Sequence, residues 1–135
     1  MKSSAALKDG MCFEVDLGGH HFLVDADESV GGMNRGPRPK PLLLSALAGC
    51  TAMDVISILR KMKHEPDGFQ VEVDGRLTEE HPKIYRTLHI RYVFKGGDLK
   101  MEKLQKAVNL SMEKYCGVSA MLRKTAKLTH EIVIE

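Results

Sequence analysis

Three side chains in this sequence can act as soft nucleophiles: Cys12, Cys50 and Cys116. In a reducing compartment structural disulfides do not normally persist, so three thiols without a C-x-x-C pair are inert core groups, metal ligands or redox groups. Cys50 lies in a long apolar run, and Asp54 follows four residues later, one helical turn away on the same face. Taken alone, Cys50 reads as a small buried hydrophobe. Asp54 reads as a structural hydrogen-bonder whose charge would raise a neighbouring thiol's pKa. Cys116 stands before Gly117 at a break between helical stretches, where the free N–H groups of a new turn could stabilise a thiolate. Cys12, on the more polar face of a strand, is expected to have no chemical role.

Metal chemistry would need the thiols or His20, His21, His64, His81, His89 and His130 in chelating patterns. None falls at C-x-x-C or H-x-x-x-H spacing, and neighbouring strand residues His20 and His21 point to opposite faces. His130 shares a face with Leu128 and Ile132 and reads as a core histidine. No metal site is expected. No cofactor is expected either, since there is no phosphate loop, G-x-S-x-G elbow or Gly-rich dinucleotide fingerprint. The Thr-x-x-Cys context of a peroxiredoxin nucleophile is also missing.

The elements that position these residues follow from patterning. The 135 residues read as a single domain, 1–135. A chain of this size can bury roughly 68% of its unfolded surface without help from metal or disulfide. Hydrophobic residues make up 43% and charged residues 28%, too apolar a balance for disorder. With 20 basic and 18 acidic residues the net charge is +2, which marks neither nucleic acid nor a membrane surface as partner. No Trp, three Tyr and four Phe leave little to stack on bases. The first twenty residues hold no apolar signal segment, and the uncharged run Pro41 to Met53 is about seven residues short of a membrane span, so a cytoplasmic protein is expected.

Cys12–Leu17 and His20–Asp25 flank Gly18-Gly19 and predict a hairpin pairing Leu17 with His20, Val15 with Phe22 and Phe13 with Val24. A surface loop over 26–40 carries Arg35, Arg38 and Lys40 with no acid between them, and Pro41 suits the first helical position. The helix from Leu42 is apolar almost all round in its first turns, which predicts enclosure on every side, part of it by a second subunit. Gly49 within it predicts a close helix–helix contact. Alternation over Phe69–Val73 and Ile84–Phe94 gives two strands of an antiparallel sheet. Asp98 is placed to cap a helix from Leu99 to about Tyr115, with Leu104, Ala107, Val108, Ser111 and Tyr115 on its apolar stripe. Val118–Lys124 gives further helical turns, and Leu128, Ile132 and Ile134 a closing strand. The class is α+β.

Two segments carry a family resemblance. The run Pro41 to Ile56, PLLLSALAGCTAMDVI, is similar to the first-cysteine helix of the OsmC/Ohr family, the osmotically inducible and organic hydroperoxide resistance proteins. Glu113-Lys114-Tyr115-Cys116-Gly117-Val118-Ser119 resembles that family's second-cysteine motif. His81-Pro82-Lys83-Ile84-Tyr85 and the 66-residue cysteine separation also fit, and the likeness is strongest to the OsmC-like branch.

The resemblance implies an OsmC-like fold: antiparallel sheets around two long buried helices, in an intertwined homodimer with active sites at the subunit interface. It implies a thiol-dependent peroxidase acting on organic hydroperoxides. Cys50 would attack the peroxide and become a sulfenic acid, Cys116 would condense with it to a disulfide, and an external dithiol would restore both. Leu47, Met53, Tyr115 and Met121 are candidate pocket walls. Peroxidases of the family resemble one another in carrying a Glu about ten residues before the first cysteine, which holds an Arg against the thiolate. Lys40 stands there in this chain, leaving Arg38 or Arg35, or Lys40 itself, to keep Cys50 anionic. That reversal motivates an alternative: a family scaffold without peroxidase activity that binds a small apolar or electrophilic ligand.

Overall fold

Two adjacent glycines set the geometry of the first sheet. Gly18 and Gly19 both adopt positive φ, 57° and 84°, the backbone of a two-residue hairpin turn that L side chains resist. The computed structural model describes residues 1–135, and its contacts divide them into two compact units, Met1–Leu43 and Leu44–Glu135. In the first unit β2 (Cys12–Leu17) and β3 (His20–Val24) pair antiparallel in the register expected from the sequence, Leu17 with His20, Val15 with Phe22 and Phe13 with Val24.

A further strand, β1 (Ser3–Asp9), lines up antiparallel on β2 to complete a sheet of order β1-β2-β3. Sequence patterning missed it because every residue of β1 is exposed, and a strand with no buried face shows no alternation. Cys12 departs from expectation in the other direction. It is fully buried rather than turned to a polar surface, together with Val24 and Asp25.

In the second unit α1 (Leu42–Lys61) begins one residue after Pro41, and its first turn lies at the boundary between the units. Leu47, Thr51, Val55 and Leu59 form its buried stripe at i, i+4 spacing. By length and composition α1 would be apolar enough to cross a membrane, more so than the Pro41–Met53 run suggests, yet its stripe packs into a protein core. A side chain added at Gly49 would meet nothing, so the close contact predicted there is not made within this chain.

β4 (Gly68–Leu77) and β5 (Tyr85–Lys95) pair antiparallel, as expected. A register shift at Arg76/Leu77 brings Tyr85 opposite Leu77, burying Tyr85 and leaving Ile84 exposed, the reverse of the simple alternation. β6 (Lys127–Ile134) lies parallel to β5, so this sheet is mixed rather than antiparallel. The physical reason is the intervening helical crossover, which returns the chain in the same direction.

That crossover contains α2 (Met101–Leu110), a single π-helical turn Ser111–Tyr115 and α3 (Gly117–Leu122). The second helix is thus shorter than the sequence suggested and ends in a widened turn. Its N-cap is Lys100, without a side-chain cap bond, not Asp98. Leu88, Ile90, Tyr92 and Phe94 of β5 fill the core with Leu47, Val55 and Leu59 of α1 and Leu104, Ala107 and Val108 of α2. Each Leu, Ile, Val or Phe side chain in this set contributes about 1.5–3 kcal/mol. The fold is α+β, with one long helix.

Candidate active site

The two cysteines are brought together by different local devices. Cys50 and Asp54 occupy successive turns of α1. Cys116 is positioned by the π-helical turn, in which its N–H donates to the carbonyl of Ser111, five residues back, at 2.8 Å. Its backbone is then extended (φ −75°, ψ 99°), and its Sγ accepts from the Ser119 N–H at 3.4 Å at the start of α3. Ser119 Oγ donates to the Cys116 carbonyl at 2.9 Å, and the Arg123 guanidinium ties Met112 to Ser119 across the same bend. The result places Cys50 Sγ, Cys116 Sγ and an Asp54 carboxylate oxygen within 4.8 Å of one another.

The surroundings separate the two thiols. Cys50 is half-buried, whereas Cys116 is 3% exposed. Burial pushes the Cys116 thiol up, and the neighbouring Cys50 adds to the shift against the Ser119 N–H. Cys116 is therefore held as the protonated partner.

Asp54 closes a buried chain of hydroxyls. Ser111 Oγ donates to Asp54 Oδ2 at 2.9 Å, Thr51 Oγ1 lies 2.8 Å from Ser111 Oγ, and Tyr92 Oη lies 2.7 Å from Thr51 Oγ1. Each hydroxyl has one proton, so the donation to Asp54 fixes the rest: Tyr92 donates to Thr51, and Thr51 to Ser111. Tyr92, Thr51 and Ser111 are fully buried, and burial raises the Tyr92 phenol to about 12, so it stays a donor. Asp54 also lines an open cleft of about 290 Å³ with Ser57, Ile58, Lys61, Leu110 and Tyr115.

The sequence reading did not assign Thr51, Ser111 and Tyr92 to a site. The available signal was a polar residue on each apolar stripe: Thr51 between Leu47 and Val55, and Ser111 after Val108. Of the candidate pocket walls, Leu47 is core, while Met53, Tyr115 and Met121 are 73%, 54% and 66% exposed within this chain. His130 is not a core residue either. Its exposed ring stands edge-on to Tyr92, with centroids 6.0 Å apart.

In the first unit the arginines have partners of their own. Arg35 pairs with the carboxylate of Asp9 and donates from Nε to Asp25 Oδ2 at 3.4 Å. Arg38 donates to Asn34 Oδ1 at 3.0 Å, to the Gly36 carbonyl at 3.1 Å and to Asp27 Oδ2 at 3.5 Å. Lys40 is exposed.

A protein-family model described as OsmC-like protein matches residues 32–131. The chain belongs to the OsmC-like family. It is 35% identical to Protein YhfA of Escherichia coli K12 over 112 residues, 83% of this chain and 81% of that protein. Among solved structures it is similar to a hypothetical protein from Aquifex aeolicus, with 30% identity, a TM-score of 0.82 and coverage of 99% of this chain and 96% of that one. The fold also matches an organic hydroperoxide resistance protein from Elizabethkingia anophelis, with 15% identity, a TM-score of 0.75 and coverage of 98% and 94%.

Proposed function

We propose that this protein is a thiol-dependent peroxidase that reduces organic hydroperoxides with Cys50 and Cys116. The observation that carries the proposal is the meeting of two sulfurs, 66 residues apart in sequence, with a carboxylate inside a 4.8 Å cluster. Membership in the OsmC-like family and the fold shared with a hydroperoxide resistance protein support it.

Burial supports a division of roles. The less buried Cys50, as thiolate, attacks the terminal peroxide oxygen; the O–O bond breaks, Cys50 becomes a sulfenic acid, and the leaving alkoxide takes a proton from solvent to depart as an alcohol. The Cys116 sulfur then attacks the Cys50 sulfur and the S–O bond breaks. The proton released by Cys116 passes to the Asp54 carboxylate and on to the departing hydroxide, so the products are a disulfide and water. The contacts of Asp54 support this transfer: Ser111 engages Oδ2, and no protein donor meets Oδ1. An external dithiol then reduces the disulfide in two exchange steps.

A homodimer belongs to this reading: exposed Met53, Tyr115 and Met121 and the open face at Gly49 offer an apolar surface for a second copy. Arg35 or Arg38 is the candidate to keep Cys50 anionic, at the cost of exchanging a present carboxylate partner. The test is hydroperoxide consumption with a dithiol present: turnover by the native chain and none by Cys50→Ser is expected, and full turnover by Cys50→Ser refutes the assignment.

The pairing of both arginines with acids of their own unit, together with Lys40 in place of a Glu, favours a second reading. In it the pair binds or captures a small electrophile and reacts slowly with peroxide. Iodoacetamide alkylation of Cys50 followed against pH separates the two: rapid reaction already below about pH 7 supports the peroxidase, and an onset only above about pH 8 supports the scaffold.

A further inference from the structure

We propose that, in the reduced protein, Cys50, Cys116 and Asp54 form a three-ligand site for a thiophilic divalent cation of the Zn²⁺ type. One donor atom from each lies within 4.8 Å of the other two. In a tetrahedral zinc site with Zn–S bonds near 2.3 Å and a Zn–O bond near 2.0 Å, two sulfurs stand about 3.8 Å apart and a sulfur and an oxygen about 3.5 Å, so closing the cluster on an ion shortens each separation by no more than about 1.3 Å. The donor set is two soft sulfurs and one carboxylate, which favours zinc or cadmium over magnesium or calcium.

The outer contacts that orient metal ligands are already in place. Ser111 Oγ fixes one Asp54 oxygen at 2.9 Å and leaves the other available, and the Ser119 N–H holds Cys116 Sγ at 3.4 Å. With three protein ligands a fourth position stays open, and Asp54 also lines an open cleft. Two thiolates and a carboxylate bring a charge of −3 to an ion of +2, leaving −1, and Lys61 stands on the cleft wall.

Sequence spacing hid this site, because its ligands come from successive turns of one helix and a bend 62 residues beyond Asp54. Loading moves no electrons: the ion displaces up to two thiol protons, so affinity rises with pH. A loaded site has both sulfurs occupied and a disulfide has no thiolate to offer, so binding is restricted to the reduced state. The site needs no peroxide chemistry and goes beyond the peroxidase proposal.

The test is titration of the reduced full chain with Cd²⁺, following thiolate-to-metal charge-transfer absorption, and with Zn²⁺ in competition with a chromophoric chelator. One ion per chain with a thiolate band is expected, and none after diamide oxidation. Asp54→Asn should weaken binding by at least the roughly 10–100-fold typical of losing an outer-shell partner, and Ser111→Ala by about tenfold. Should Asp54→Asn fail to fold by circular dichroism, Cys50→Ser carries the same test and should lose the two-thiolate band. Absence of a thiolate band, or binding that neither Asp54→Asn nor Cys50→Ser changes, overturns the site. A chain that binds cadmium but does not consume hydroperoxide removes the peroxidase reading alone, and the converse removes the metal site alone.

Discussion

Asp25 and Asp54 are both held in protein surroundings, yet the donors around them differ. The Asp25 side chain is fully buried and saturated: it accepts from the N–H groups of Ala26, Met33 and Arg35 and from Arg35 Nε. Burial alone would raise its pKa, but those donors outweigh it and hold the carboxyl below its ordinary range. Asp54 has one hydroxyl on one oxygen, two thiols nearby and an open cleft beside it. A carboxylate whose acceptor sites are filled by backbone donors organises a loop. One with a free oxygen beside a nucleophile can move a proton or hold a cation.

Substitution at each carboxylate sharpens the contrast. Asp54→Asn should slow Cys50–Cys116 disulfide formation by about 10² or more, the usual contribution of a positioned acid–base group, as read by quenched-flow thiol counting. It should change the melting temperature little, and an unchanged rate removes Asp54 from the chemistry. Asp25→Asn should do the opposite in kind, lowering the thermal midpoint, because an amide cannot accept the same four donors at one position.

The buried hydroxyl chain tests whether Asp54 is tied to the core. Thr51→Val should cost about 1–3 kcal/mol in denaturant unfolding by orphaning the Tyr92 hydroxyl, and Tyr92→Phe in the same chain should recover most of it. Equal losses in the single and double variants would show that the chain carries no coupling.

A smaller effect is expected with acid. A depressed carboxyl contributes stability that is present above its unfolded value near 3.8 and is lost as pH falls through the lower folded value. Amide exchange at Met33 and Arg35, corrected for intrinsic rates, should therefore accelerate only below about pH 4. Acceleration at higher pH would mean that Asp25 does not hold the loop.

The legible parts of the fold were those with one buried face. The Gly18-Gly19 hairpin, the helix from Leu42 and the β4–β5 pair all announce themselves through turn residues or alternation. β1 has no buried face, the parallel docking of β6 depends on the crossover before it, and the π-helical turn at Ser111 has no side-chain signature. The approach of Cys116 to Cys50 was legible through family motifs, but the approach of Asp54 to both sulfurs was not, since only tertiary packing brings Cys116 to α1. Gly49 and the exposed Met53 mark a surface that this chain does not cover.

The most direct measurement is peptide mapping by mass spectrometry after one equivalent of organic hydroperoxide. The account predicts a Cys50–Cys116 crosslink within a single chain, two hydrogens lighter, with Cys12 still a free thiol. Cys50 over-oxidised to sulfinic acid beside an unmodified Cys116, or a crosslink that involves Cys12 instead, would contradict it.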